Sequence, residues 1–402
     1  MFGINKIFWL KLIQIVYLST IKTILSKLFQ KHCMLNIIYI ITRSDVLGGA
    51  SVHLLDLAKG MIGQGHQVHI LVGGEGTFTE ELKKNNINFS SLKYLKREIS
   101  LTHDLLGFWE IKKHLKQLKP DIVHCHSSKA GLLGRLAAKS LNIPVVFTAH
   151  GWAFTDGVGA KKQKIYAHVE RALSKLSDAI ISVSDYDRQH GFKHNVGTQQ
   201  LVTTVHNGVP DVIKSTNNTQ NPVPKLIMVA RFEEPKDQYF LINTLAELPK
   251  NLDWRLDLIG DGPNLQKCKD LTKSKQLDNK IIFHGQSFKV QEFLNQADIF
   301  ILISKYEGFP LTILEAMRAS LPIIASDVGG VKESVNPNNG FLIAKNDSTA
   351  LRTALVNLIS DAKLRAQLGN NSRKAYEENF TFDIMLDKTL AIYNKILAQR
   401  DL

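Results

Sequence analysis

Runs of consecutive apolar residues recur along the chain and alternate with longer stretches of helical period. The first run lies at 35–41, followed by 67–72, a short one near Phe89, then 121–126, 145–148, 179–184 and 202–205. Runs that are apolar without alternation fit strands buried on both faces, and the helical stretches between them supply the crossovers that parallel strands require. After 202–205 the pattern stops. Residues 211–224 read DVIKSTNNTQNPVP, polar and without period, which is linker composition. The alternation then restarts at 225–230, 255–259, 280–284, 298–304 and 321–326, with a short edge strand at 340–343 and helices over 348–379 and 384–397. The pattern predicts an α/β protein of two tandem doubly wound, Rossmann-like domains, residues 34–210 and 225–380, with strand-end loops of both facing one crevice.

Charge narrows the partners. The 402 residues carry a net +13, with a pI near 9.4, which points to something anionic: nucleic acid, a membrane surface or a phosphorylated substrate. Five lysines and no acid fall in residues 1–33, an apolar and basic extension that reads either as a membrane-surface helix or as a start placed upstream of Met34. Its longest stretch free of charge, 12–21, is too short for a transmembrane span. Basic clusters at 93–97 and 112–119, with Tyr94, Leu95 and Trp109 as apolar anchors, are solvated faces or contacts to anionic lipid. Cys33, Cys125 and Cys268 are too few and too scattered for a disulfide framework and suit a reducing cytoplasm.

Candidate chemistry gathers at strand ends. The stretch Lys305 to Glu315 follows an apolar run, turns at Gly308 and Phe309, and enters a helix at Pro310. A helix start near Thr312 offers free N–H groups and partial positive charge to a phosphate, with Glu307 in the loop and Glu315 more than a turn into the helix. Gly48 and Gly49 form a second strand–turn–helix junction, where backbone can approach a ligand closely. Arg231 and Lys236 bracket a third loop with the geometry wanted for clamping a diphosphate. His150 ends a strand where ligands bind in open α/β sheets; Trp152 and Phe154 beyond it are either an acceptor-side wall or core. His124 and His126 share a strand face, with His126 at its cleft end; two ligands without a third make a poor metal site, so no metal is expected. Gly260-Asp261-Gly262 lacks the third glycine of a dinucleotide fingerprint. Nucleic-acid motifs, a P-loop and a nucleophile elbow are all missing from the sequence.

These residues, in this order, resemble glycosyltransferase family 4, retaining enzymes of GT-B fold, over about 35–400. Glu307 and Glu315 match the family's Glu-x7-Glu motif, Arg231 and Lys236 its diphosphate-binding pair, Gly48 and Gly49 its glycine loop, and His150 the histidine at the donor sugar. The segments HSSKAGLLGRLAAK and TAHGWAFTDG are similar to bacterial enzymes that build capsule, O-antigen or lipid-linked oligosaccharides. Ala230 stands where the family usually has Gly. The resemblance implies that Arg231 and Lys236 neutralise a leaving diphosphate, that Glu307, Gly308 and Phe309 orient the donor sugar, and that Glu315 holds the ribose. It implies no metal and no cofactor, since the nucleotide-sugar is itself a substrate. Residues 381–402 would return to the first domain. The expected partners are a nucleotide-sugar, UDP-linked by preference, a lipid-linked or other saccharide acceptor, and an anionic membrane at its cytoplasmic face, but no nucleic acid. The alternatives are a non-hydrolysing UDP-sugar 2-epimerase and an inactive membrane-bound scaffold.

Overall fold

The computed structural model describes residues 34–155, 157–212, 223–287 and 289–400. The readings placed on residues 1–33, and on most of the 211–224 linker, lie outside the described residues. Two parallel sheets organise the rest. The first holds β1 (Asn36–Ile41), β2 (Gln67–Gly73), β3 (Asn88–Leu92), β4 (Ile122–His126), β5 (Val145–Ala149), β6 (Ala179–Ser182) and β7 (Val202–Thr204), in the order β3-β2-β1-β4-β5-β6-β7. The second holds β8 (Lys225–Val229), β9 (Arg255–Ile259), β10 (Ile281–Gly285), β11 (Ile299–Leu302), β12 (Ile323–Ser326) and β13 (Gly340–Ile343), in the order β10-β9-β8-β11-β12-β13. The winding direction therefore reverses between β1 and β4, and again between β8 and β11. Loops leaving strands at such reversals part to either side and open a crevice. The four strands at these reversals lead into the loops of Gly48, His126, Arg231 and Glu307.

The continuous apolar runs are explained by burial on both faces. Ile37, Tyr39 and Ile41 of β1 pack on one side with Leu54 and Met61 of helix Gly49–Gly63 and with Leu386 and Tyr393 of helix Phe382–Ala398. Ile38 and Ile40 point the other way, onto Leu133 and Ala137 of helix Ser128–Lys139. Phe382 presses on Gly60, where a Cβ would collide with its ring, so the C-terminal helix needs that glycine to seat against the first domain. On the opposite face, helices Leu101–Leu118, Ser128–Lys139 and Ala160–Ser174 form one layer over the sheet. Fully buried Arg135 locks two of them, reaching Glu170 at 2.9 and 3.0 Å and the Gly131 carbonyl at 2.7 Å. Among the described residues, no helix is long and apolar enough to cross a membrane.

Candidate active site

The organising loop runs from β11 to helix Leu311–Arg318. Pro310 is the residue before the first helical turn, with extended backbone, rather than the first helical residue. The carboxylate of Glu307 accepts from the Lys236 ammonium and from the Ser304 hydroxyl, the latter at 2.6 Å. Both partners are mostly covered: side-chain exposure is 18% for Lys236 and 10% for Glu307. The Arg231–Lys236 loop is stitched to the end of β11 by Asp237 N–H to the Ile303 carbonyl at 2.9 Å and Lys305 N–H to the Pro235 carbonyl at 2.8 Å. Arg231 pairs with Glu233 at 2.7 Å and stays 43% exposed. Two cations thus stand at adjoining strand ends, a charge arrangement suited to a diphosphate.

Glycines bring the walls together. Gly329, at φ +58°, has the Glu307 carbonyl against its Cα; a Cβ there would strike that oxygen. Gly330 donates its N–H to the Gly308 carbonyl at 3.0 Å. Gly308 in turn lies against the backbone of His150 and the carboxylate of Asp187, whose Oδ2 would be 3.3 Å from a Cβ. Asn207 of the first domain donates to the Phe309 carbonyl at 2.7 Å. Gly49 opens its helix next to Leu311, whose Cδ1 would lie 4.0 Å from a Cβ there, so the two helix starts come together at the domain boundary. Burial pushes the Glu315 carboxyl up to about 7 against the pull of Arg318, and Asp56, across the domain boundary, is raised by burial to about 6.

Behind His150 lies a cluster of rings. His126 Nδ1 and His150 Nε2 are 3.0 Å apart with the rings stacked, and His53 meets His150 edge-on with centroids 4.8 Å apart. His124 is held by the Tyr393 hydroxyl at 2.5 Å and the Thr148 hydroxyl at 2.7 Å. Burial drives the pKa of His124, His126 and His150 well below the ordinary range, and that of His53 to about 4, so all four rings are neutral near pH 7.

Several expectations need correction. His126 is fully buried and supports His150 from behind rather than lining the open cleft. Trp152 and Phe154 do not form an acceptor wall: they are 3% and 0% exposed, stack on each other, and the indole donates to the Asp187 carbonyl at 2.6 Å. Leu95 is 1% exposed and cannot anchor to anything outside. The strand His124–His126 does have a third imidazole within reach. Nitrogens of His53, His126 and His150 lie within 4.8 Å of one another, and Nδ1 of His53 and Nε2 of His126 lack hydrogen-bond partners. His126 Nδ1 and His150 Nε2 already share a hydrogen bond between stacked rings, so the cluster is a packed group of imidazoles behind the cleft. The sequence reading does not single out His53, Asp187, Asn207 or Glu333. Glu333 accepts from His206 at 2.7 Å and from the backbone N–H of Asp185 and Tyr186 at 2.8 Å each, bridging the second domain to the first.

Two Rossmann-like domains that close a cationic pair, two carboxylates and a neutral histidine around one crevice define a GT-B glycosyltransferase. The chain belongs to the glycosyltransferases: residues 47–211 match the model of Glycosyltransferase Family 4, and residues 209–375 that of Glycosyl transferases group 1. It is 29% identical to the UDP-Gal:alpha-D-GlcNAc-diphosphoundecaprenol alpha-1,3-galactosyltransferase of Escherichia coli, over 83% of this chain and 90% of that one. It is 26% identical to the capsular polysaccharide biosynthesis glycosyltransferase CapM of Staphylococcus aureus, over 83% and 91%. Among solved structures, a glycosyltransferase from Rickettsia africae superposes with a TM-score of 0.77 at 24% identity, covering 91% of this chain and 99% of that one. Anabaena HepE in complex with UDP and glucose also gives a TM-score of 0.77, at 19% identity and 89% and 98% coverage.

Proposed function

We propose that this enzyme transfers a sugar from a UDP-sugar to a lipid-linked saccharide, with retention of anomeric configuration, in cell-surface polysaccharide synthesis at the cytoplasmic face of the membrane. The observation that carries the reading is the junction of Lys236, Glu307 and Ser304 beside Arg231, facing His150 across the cleft. In this reading Arg231 and Lys236 stabilise the charge that grows on the departing diphosphate, aided by the helix start after Pro310. The loop from Glu307 to Phe309 positions the sugar, Glu315 takes the ribose hydroxyls, and His150 holds a sugar hydroxyl. The bond from C1 to the β-phosphate oxygen breaks, the acceptor oxygen bonds to C1 on the same face, and its proton passes to the departing phosphate oxygen. The two cations do the work that a divalent ion would otherwise do, so transfer proceeds in the presence of a chelator.

The galactosyltransferase relative, named for UDP-Gal and a GlcNAc-diphosphoundecaprenol acceptor, supports the donor and acceptor classes. The test is to incubate the protein with UDP-hexoses and a polyprenyl-diphosphate N-acetylhexosamine, with and without EDTA, and to read the new anomeric coupling by NMR. An α-linked product from an α-donor is expected. A β-linked product would overturn retention, and loss of transfer in EDTA would overturn the metal-free reading.

A further inference from the structure

We propose that the outer face of the helix layer Leu101–Leu118, Ser128–Lys139 and Ala160–Ser174 docks on an anionic lipid bilayer with the cleft mouth at its rim. This deepens the proposed function and rests on its lipid-linked acceptor. Thirteen large apolar side chains are exposed among the described residues, and eight of them fall on this one layer or the loop leading into it. Ile99, Leu101, Leu105, Leu106 and Trp109 form the main group, with exposures of 81%, 87%, 59%, 46% and 56%. Leu136, Ile165 and Val169 continue it on the neighbouring helices. Helix Leu101–Leu118 carries two apolar stripes: Gly107, Ile111 and Leu115 pack inward, while Leu101, Leu105 and Trp109, four residues apart, share the outer side.

The surrounding charge selects the occupant. Residues 93–119, 128–139 and 160–174 contain fourteen Lys and Arg but four Asp and Glu, against 50 and 37 in the whole chain. Three of the four acids are already engaged: Glu170 by buried Arg135, Asp104 by Lys129, and Glu110 by the backbone N–H of Lys93 and Tyr94. Lys112 lies over the Trp109 ring with its ammonium 5.3 Å from the centroid. An apolar centre with long basic side chains around it matches a bilayer, where the apolar groups enter the acyl boundary and the lysines reach the anionic headgroups. A second copy of this chain would instead bring two basic faces together.

The patch is also fixed to the site. Lys129 binds Asp104 and donates to the Glu98 carbonyl at 3.0 Å. That ties the Leu101 end of the patch to the first turn of helix Ser128–Lys139, two residues beyond buried His126. A saccharide anchored in the bilayer would therefore enter from the side of the first domain.

The full chain is sedimented with vesicles of phosphatidylcholine alone and of phosphatidylcholine mixed with phosphatidylglycerol. Two double variants, Leu105→Glu with Trp109→Glu and Lys161→Glu with Lys164→Glu, alter different helices of the face. Wild type should pellet with the anionic vesicles, less with the neutral ones, and less as salt rises. Each variant should bind at least about tenfold more weakly while keeping its melting temperature and its stabilisation by nucleotide-sugar. Absence of binding by wild type, or variants that bind as wild type does, would overturn the proposal. Light scattering that shows self-association abolished by the variants, without vesicle binding, would overturn it in favour of a dimer face. If nucleotide-sugars fail to stabilise the wild type while vesicle binding behaves as expected, the donor assignment falls and this surface stands.

Discussion

Replacing Glu333 by Ala removes a carboxylate that spans the two domains. Three donors point at it: His206 Nε2 at 2.7 Å and the N–H groups of Asp185 and Tyr186 at 2.8 Å, in the first turn of helix Asp185–Lys193. The Glu333 side chain is 17% exposed and His206 29%, so water competes only in part. Hydrogen bonds to a charged group contribute about 1.5–3 kcal/mol each, but the freed N–H groups at a helix start regain some hydration, so a net loss of about 2–3 kcal/mol follows. By the scaling for larger domains that lowers the melting temperature by about 4–12 °C. Glu333→Gln keeps one acceptor oxygen and should lose about half as much. Burial raises the Glu333 pKa, but the bonds from His206 and the two N–H groups outweigh it and hold the carboxyl below its ordinary value. The sign follows: its contribution is complete above the unfolded glutamate pKa of about 4.5 and is lost as pH falls through the lower folded value. The difference in melting temperature between wild type and Glu333→Ala should thus be constant at neutral pH and shrink only in acid. A calorimetric melt at neutral pH in which Glu333→Ala matches wild type within a degree would refute this.

Arg135→Ala and Glu170→Ala each strand the other charge in the core and should cost about 3–5 kcal/mol in urea titrations, while removing both together should cost less than the two separate losses combined. Glu315, raised by burial to about 7, binds its proton more tightly folded than unfolded; stability therefore falls, by at most about 3 kcal/mol, as pH rises from 4.5 to 7. Glu315→Gln should flatten that slope and be more stable than wild type at pH 8 in the same titrations, yet bind nucleotide-sugar more weakly by calorimetry. Gly329→Ala forces a Cβ onto the Glu307 carbonyl at positive φ; displacement of Glu307 from Lys236 should lower kcat/KM by about a hundredfold in a transfer assay.

Much of the fold was legible because the strands inside each sheet are buried on both faces, so the apolar runs at 35–41 and 298–304 stand out without alternation. The donor side was legible for a related reason: Arg231, Lys236 and Glu307 sit on loops next to those runs, and loop chemistry is local in sequence. What failed was long-range. His53 lies in the second turn of a helix whose pattern reads as ordinary amphipathic packing, and only the sheet order carries it to His126 and His150. Trp152 and Phe154 follow a strand end as wall residues would, but the loop turns both inward, Phe154 onto the imidazole rings of His190 and His194 and Trp152 onto Phe147 and Phe154. Glu333 follows the Gly329–Gly330 turn with no local partner, and its three donors come from more than a hundred residues away.

The central claim is that Arg231 and Lys236 hold the diphosphate of a nucleotide-sugar, and a melt of the full chain against UDP-, GDP-, ADP- and TDP-sugars tests it most directly. A ligand that binds only the folded state must raise the melting temperature, by the equivalent of about 2.7 kcal/mol at a hundred times its Kd. UDP-sugars should raise it and the other bases should not, and Lys236→Ala should abolish the rise measured against its own melting temperature without ligand, which falls because Glu307 loses its partner. A chain that no nucleotide-sugar stabilises, or a Lys236→Ala variant stabilised as much as wild type, would contradict the diphosphate clamp and favour an inactive scaffold in the first case.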